Sequence, residues 1–205
     1  QLDITRIAPE AVAWARANAP GELREGPARS ASFLLFNARR PPFDDPRLRR
    51  ALSMAVERDV LARQLRAGDA EPAWTFVTPN TRDYVATRGP AWRDWTETQR
   101  LQEARRLLAQ AGYGAGGSLT VPLDFVAGTL ERREAVALAS MWRRVGVKAE
   151  PRSTDARTLY SNVSQGAFAV ASTSIAPMLP GPLIWFEVLG TEGAKRSGGW
   201  SDAQF

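Results

Sequence analysis

The chain has 205 residues, 44% of them hydrophobic, a net charge of +5, and neither cysteine nor histidine. That is enough apolar material for one ordinary core, and it excludes disulfides, thiolate or Ser-His catalysis and the common zinc sites. The basic excess is arginine on helices that also carry acids, the pattern of a solvated surface rather than a nucleic-acid face, and no apolar run approaches the ~20 residues that span a membrane.

Leu2 to Ile7 reads as a short strand or connector. Pro9 opens a helix over Glu10 to Ala19, as proline does in a first turn, and Pro20-Gly21 ends it. Ala31 to Phe36 is predicted as a strand; Phe33, Leu34, Leu35 and Phe36 run without alternation, so both faces should be covered. The chain then passes Asn37, Pro41-Pro42 and Asp44-Asp45. Asp45 stands at an N-cap and Pro46 at the first helical position. Leu48, Ala51, Leu52, Ala55 and Val56 follow at helical spacing. A second short helix is expected over Val60 to Arg66, closing at Gly68.

Pro72 to Arg93 has no period and carries Trp74, Phe76, Tyr84 and Trp92, the kind of long loop that often serves function. Thr96 and Gln99 form a capping box for a helix over Glu97 to Ala111, with Gly112 as its C′ residue. An α/β alternation completes the chain. It comprises a strand through Leu119, Val121, Leu123 and Phe125, a helix capped by Thr129, a strand over Val147 to Glu150, a helix over Thr154 to Gln165, and a strand over Phe168 to Thr173. Pro122 puts the first of these strands at an edge or beside a bulge. The handedness rule predicts two right-handed crossovers and a partly parallel sheet.

Chemistry-bearing motifs are missing. Lys148 and Lys195 are the only lysines, and neither sits in a Ser-x-x-Lys; no phosphate-binding or dinucleotide fingerprint occurs, since Gly112 to Gly117 follows a helix rather than a strand. No enzyme activity, metal or cofactor is expected. Nor are aromatics interleaved with arginine as a nucleic-acid stacking platform requires.

Five segments in register carry a family resemblance: FLLFNARRPPFDDPRLRRALSMAVERDVL, PAWTFVTPN, EARRLLAQAGY, ASMWRRVGVKAE and QGAFAVAS. Together they resemble the family 5 extracellular solute-binding proteins, the oligopeptide- and dipeptide-binding receptors of bacterial ABC importers. The resemblance implies an α/β, periplasmic-binding-protein-like type II lobe with a mixed, partly parallel sheet flanked by helices. It implies that residues 1–205 form a single lobe, the second of a two-lobed clamp whose first lobe lies outside this chain. The opening QLDITRIAPEAV, with no secretory leader, and the closing GGWSDAQF read as internal to a longer protein. Capture of a small peptide or peptide-like solute is implied, with delivery to a permease and ATPase. The location would be the periplasm, or an extracytoplasmic lipid-anchored position in a Gram-positive source. An opine or a sugar stays open as the solute.

By the same resemblance the strand that pairs with ligand is Ser172, Thr173, Ser174, Ile175, Ala176, Pro177 and Met178; the other reading is a buried strand running into a proline-rich loop. Many peptide-binding relatives hold the ligand ammonium with an Asp here. In this chain that position falls at Met178, and no acid lies between Asp155 and Glu187. A buried ammonium without a carboxylate is costly, so the first lobe supplies the anion, the ligand lacks a free N-terminus there, or it is not a standard peptide. The tryptophan that lines a pocket in some relatives is replaced near Ala156. Trp74, Thr75 and Phe76 on the long loop are the aromatic-wall candidates, unless the two rings plug the core beneath it. Glu131 either faces the cleft or merely suits a helix N-terminus. Trp142, Trp185 and Phe186 are expected in the core, and the Asn-Pro-Asp elbow is expected to be scaffold.

Overall fold

The computed structural model describes residues 7, 9–24, 30–66, 70–82, 84–86, 88–114 and 118–176. Its centre is a four-stranded sheet in the order β1-β4-β2-β3, built from Ala31–Phe36 (β1), Leu119–Val126 (β2), Val147–Thr154 (β3) and Val170–Ile175 (β4). β2 runs parallel to β3 and β4, while β1 is antiparallel to β4, so the sheet is mixed and partly parallel as expected. The helices are Pro9–Asn18 (α1), Pro46–Met54 (α2), Glu97–Gln110 (α3), Thr129–Arg143 (α4) and Ala156–Gln165 (α5). A π-helical turn, Val60–Leu65, stands where an α-helix was expected, and a 3-10 turn, Ala91–Asp94, closes the long loop. Of the predicted Leu2 to Ile7 strand only Ile7 lies among the described residues, and it is not in a strand.

Helix ends follow local chemistry. Asp45 Oδ1 accepts from the Arg47 amide at 2.8 Å, capping α2. Thr96 and Gln99 complete their reciprocal box: the Thr96 amide donates to Gln99 Oε1 at 2.9 Å and the Gln99 amide to Thr96 Oγ1 at 3.3 Å. Gly112, with φ +90°, takes the left-handed position that ends α3. Two caps differ from expectation. α4 is capped at Gly128, with Thr129 in the first turn, because the Glu131 carboxylate folds back into the space a side chain at 128 would fill. α5 begins at Ala156, capped by Asp155, whose Oδ1 accepts from the Thr158 amide at 3.0 Å.

The strands need two corrections. β2 is an inner strand despite Pro122. β4 joins it only at Leu123 and Asp124, so Pro122 lies on the stretch of β2 laddered by β3 alone. β3 runs four residues past the predicted Glu150 end, to Thr154. Pro151 is tolerated there because β3 is an outer strand among those described.

The sheet's two faces are covered unequally. Leu119, Val121, Leu123 and Phe125 of β2 pack with α2, α3 and α4 into the main core, joined by Leu34 and Phe36 of β1. The other face holds a smaller cluster in which Leu159 and Val163 of α5 meet Phe168 and Ala171, with Leu35 and Val126 against them. The uninterrupted apolar run of β1 thus serves both faces. Trp142 is fully buried, and its Nε1 donates to the Leu52 carbonyl at 3.1 Å, satisfying an acceptor in the last turn of α2.

The elbow after β1 is scaffold. Asn37, 2% exposed, donates from Nδ2 to the carbonyls of Gly166 and Phe168 at 3.0 Å each, and its amide donates to Ala169 at 3.0 Å. Phe43 is buried beside Phe36, their ring centroids 5.4 Å apart.

Candidate functional site

β4 changes character along its length. Val170 and Ala171 are buried and are laddered on both sides, by β1 and by β2. From Ser172 to Ile175 the ladder to β1 continues, but that to β2 has stopped. Among the described residues, the β2-facing backbone edge of Ser172–Ile175 therefore has no strand partner. Alternate residues on that edge offer an N–H and a C=O to whatever lies alongside. Side chains alternate as well. Ser172 and Ser174 stand opposite Leu34 and Ser32, on the face of the main core, while Thr173 and Ile175 stand opposite Phe33 and Ala31, on the face of α5. Ala176 follows the strand and is exposed; Met178, Trp185 and Phe186 lie outside the described residues.

Phe33 connects the long loop to this strand. Phe76 meets it edge-to-face, centroids 5.2 Å apart, and Phe33 is the register partner of Thr173. Among the described residues the enclosed Thr173 hydroxyl has no hydrogen-bond partner. Phe76 and Thr173 are thus brought to one region of the molecule. Thr75 turns inward on its own loop, donating from Oγ1 to the Val77 carbonyl at 3.2 Å. Trp74 is half-buried, with the Arg58 guanidinium 4.7 Å from its ring centroid.

Three charged groups near these strands escaped the sequence reading. Asp124, 9% exposed, lies opposite Ala171 on one side and Arg152 on the other. Arg152 holds it with a fork, Nε to Oδ1 at 2.8 Å and Nη2 to Oδ2 at 3.2 Å. Arg66 donates from Nε to Glu134 at 2.7 Å and from Nη2 to the Ser32 hydroxyl at 3.4 Å, and Ser32 is the register partner of Ser174. Arg58 is the third: burial pushes its pKa down to about 10, the neighbouring Arg100 adding to the effect. The pairing of Asp124 with Arg152 depends on strand register across 28 residues, which no local pattern reveals. Among the described residues, Glu134 is paired with Arg66, Asp124 with Arg152, and Asp155 caps the start of α5, while the Glu131 carboxylate lies over Gly128. Glu131 and Ala156 sit at helix starts, and Trp142 is core.

Comparison with known proteins places this architecture. The chain is 32% identical over 153 residues to the periplasmic oligopeptide-binding protein OppA of Escherichia coli K12, a match covering 74% of this chain and 28% of OppA. It is 28% identical over 206 residues to the Probable deoxycholate-binding periplasmic protein YgiS of the same organism, covering 100% of this chain and 38% of YgiS. Among solved structures, OppA of Burkholderia pseudomallei superposes with a TM-score of 0.88 at 22% identity, covering 95% of this chain and 38% of that one. The murein tripeptide binding protein MppA of Escherichia coli gives 0.86 at 22% identity, with 96% and 38% covered. The chain thus spans about a third of the length of the relatives it matches, and its fold is that of the periplasmic binding proteins. Residues 1–196 match the sequence model for bacterial extracellular solute-binding proteins, family 5, middle. The chain belongs to family 5 of the bacterial extracellular solute-binding proteins.

Proposed function

We propose that this chain is one lobe of a two-lobed receptor that captures a peptide or peptide-like solute outside the cytoplasm and delivers it to an ABC permease and ATPase. The observation that carries this reading is the open edge of Ser172–Ile175 beside the Phe33–Phe76 pair. An extended ligand can add to that edge by main-chain hydrogen bonds, which are indifferent to side-chain sequence. Phe76, Thr173 and the loop residues Trp74 and Thr75 supply the flanking surface, and Ile175, Ala176 and Met178 continue the contact. Family membership and the names of relatives, which bind oligopeptides, murein peptide and glutathione, support the same reading. The receptor performs no chemistry; the opposing lobe closes over the solute and excludes water. The site of action is the periplasm, or the outer face of the membrane through a lipid anchor if the source is Gram-positive. Among the described residues no helix is long and apolar enough to cross a membrane.

A second reading keeps the receptor and changes the solute. The match to YgiS extends over the whole chain, and the acids around the strand are already engaged, so a non-peptide solute or one without a free ammonium also fits. Native mass spectrometry of the full-length receptor purified from cells separates the two. Retained masses that fragment as short peptides are expected. A retained steroid acid, opine or sugar would transfer the assignment to the second reading, and a receptor that retains no solute and binds neither a tripeptide library nor deoxycholate would end both.

A further inference from the structure

The loop that carries Trp74 has little secondary structure to fix it, yet one buried side chain ties it to the end of α2. Arg58 lies just past α2. Its Nε donates to the Ala73 carbonyl at 3.0 Å, the residue before Trp74. Nη1 donates to the carbonyl of Ser53 at 3.0 Å and to that of Val56 at 3.4 Å, and Nη2 donates to the Ser53 hydroxyl at 2.9 Å. The same guanidinium stacks on the Trp74 ring, 4.7 Å from its centroid. Gly89 closes the other end of the loop: a Cβ there would lie 3.3 Å from the Trp74 carbonyl oxygen, and its φ of +69° suits glycine.

Among the described residues Arg58 is held by carbonyls, one hydroxyl and an indole face, with no carboxylate bonded to it. Burying a guanidinium without an anion is costly. A neutral residue would seat the end of α2 without that cost. What arginine alone supplies is a planar fork that grips two backbone segments while its face lies on an aromatic ring. We infer that Arg58 is a positioning residue for the ligand-facing loop: it locks Ala73 and Trp74 to the end of α2, so that the loop is ordered before ligand arrives. Pre-ordering removes an entropic cost that binding would otherwise bear. This inference rests on the reading of Trp74 as part of the ligand surface, and the test separates the two.

The full-length receptor is labelled with 5-fluorotryptophan, and Trp74→Phe identifies the Trp74 resonance. Binding of a labelled tripeptide library is then measured for wild type, Arg58→Lys, Arg58→Met, Trp74→Ala and the Arg58→Met/Trp74→Ala double variant. In both Arg58 variants the Trp74 resonance shifts or broadens while the other tryptophans stay in place. Arg58→Met and Trp74→Ala each weaken binding about tenfold, Arg58→Lys restores only part of the loss, and the double variant is no worse than Trp74→Ala alone. An unmoved Trp74 resonance, full rescue by lysine, or additive losses overturns the inference. If Trp74→Ala leaves binding unchanged, the site reading fails and takes Arg58's role in affinity with it, and the fluorine spectrum still reports whether the loop is clamped.

Discussion

β2 and β4 are neighbours in one sheet and are built to opposite purposes. β2 is laddered to β3 over all eight of its residues, from Leu119 to Val126. It buries Leu119, Val121, Leu123 and Phe125 in the main core. β4 matches that pattern for Val170 and Ala171, then loses its second ladder at Ser172, where Ser172, Thr173 and Ser174 replace apolar side chains before Ile175. The coincidence has a physical reason. Where two ladders and two covered faces exist, a side chain is apolar or, like Asp124, held by a partner. Where one edge is open, small hydroxyl residues keep the backbone accessible. A single strand is therefore laddered on both sides for two residues and, among the described residues, on one side for the next four.

The largest test of this contrast is Leu123→Ala. Leu123 is fully buried opposite Val170, and its truncation is expected to cost about 3 kcal/mol in chemical denaturation. A cost below ~1 kcal/mol would mean that the doubly laddered region is not the stable one. Arg152→Ala comes next, at about 2 kcal/mol, because it strands the Asp124 carboxylate at 9% exposure without its fork; Arg152→Ala/Asp124→Leu should recover most of that loss. Thr173→Val should sit within ~0.5 kcal/mol of wild type or slightly above it, since its enclosed hydroxyl has no partner to lose. The same variant should bind the tripeptide library more weakly if that hydroxyl waits for ligand, so stability and affinity move apart.

The smallest effect is pH dependence through α5, which feeds the chain into β4. The Thr158 hydroxyl and amide hold Asp155 below its ordinary value of 3.8. A depressed carboxylate contributes stability above its unfolded value and loses it as pH falls through the folded one. The thermal midpoint should accordingly be flat down to about pH 5 and fall below 4, with a shallower fall in Asp155→Asn. An identical acid limb in that variant would remove Asp155 from the account.

Much of the fold was legible wherever the cause is local. The Asp45-Pro46 start, the Thr96/Gln99 box and the stop at Gly112 are encoded within a few residues, and the structure has all three. Pro122 misled because a proline's cost depends on which edge of a strand has a neighbour, a property of sheet order. The Gly128 cap was hidden because the group that fills its place, Glu131, belongs to the following turn. The site was legible only as segments. That Phe76 and Thr173 meet through Phe33 depends on a register between residues 33 and 173. Arg58 carries no local cue to its partner, and only the fold lays it on Trp74.

Asn37 carries a consequence for how the chain is made. Its side-chain bonds reach the main chain 129 and 131 residues later, and β1 has no strand partner but β4 among the described residues. At ~5–20 residues per second, synthesis leaves Phe33–Phe36 waiting on the order of ten seconds for the segment that completes them. The strand that begins the sheet in sequence thus waits for its hydrogen-bonded partner, and a nascent FLLF stretch is expected to need shelter, by a holding partner or by transient burial against α2, while the rest of the chain is made.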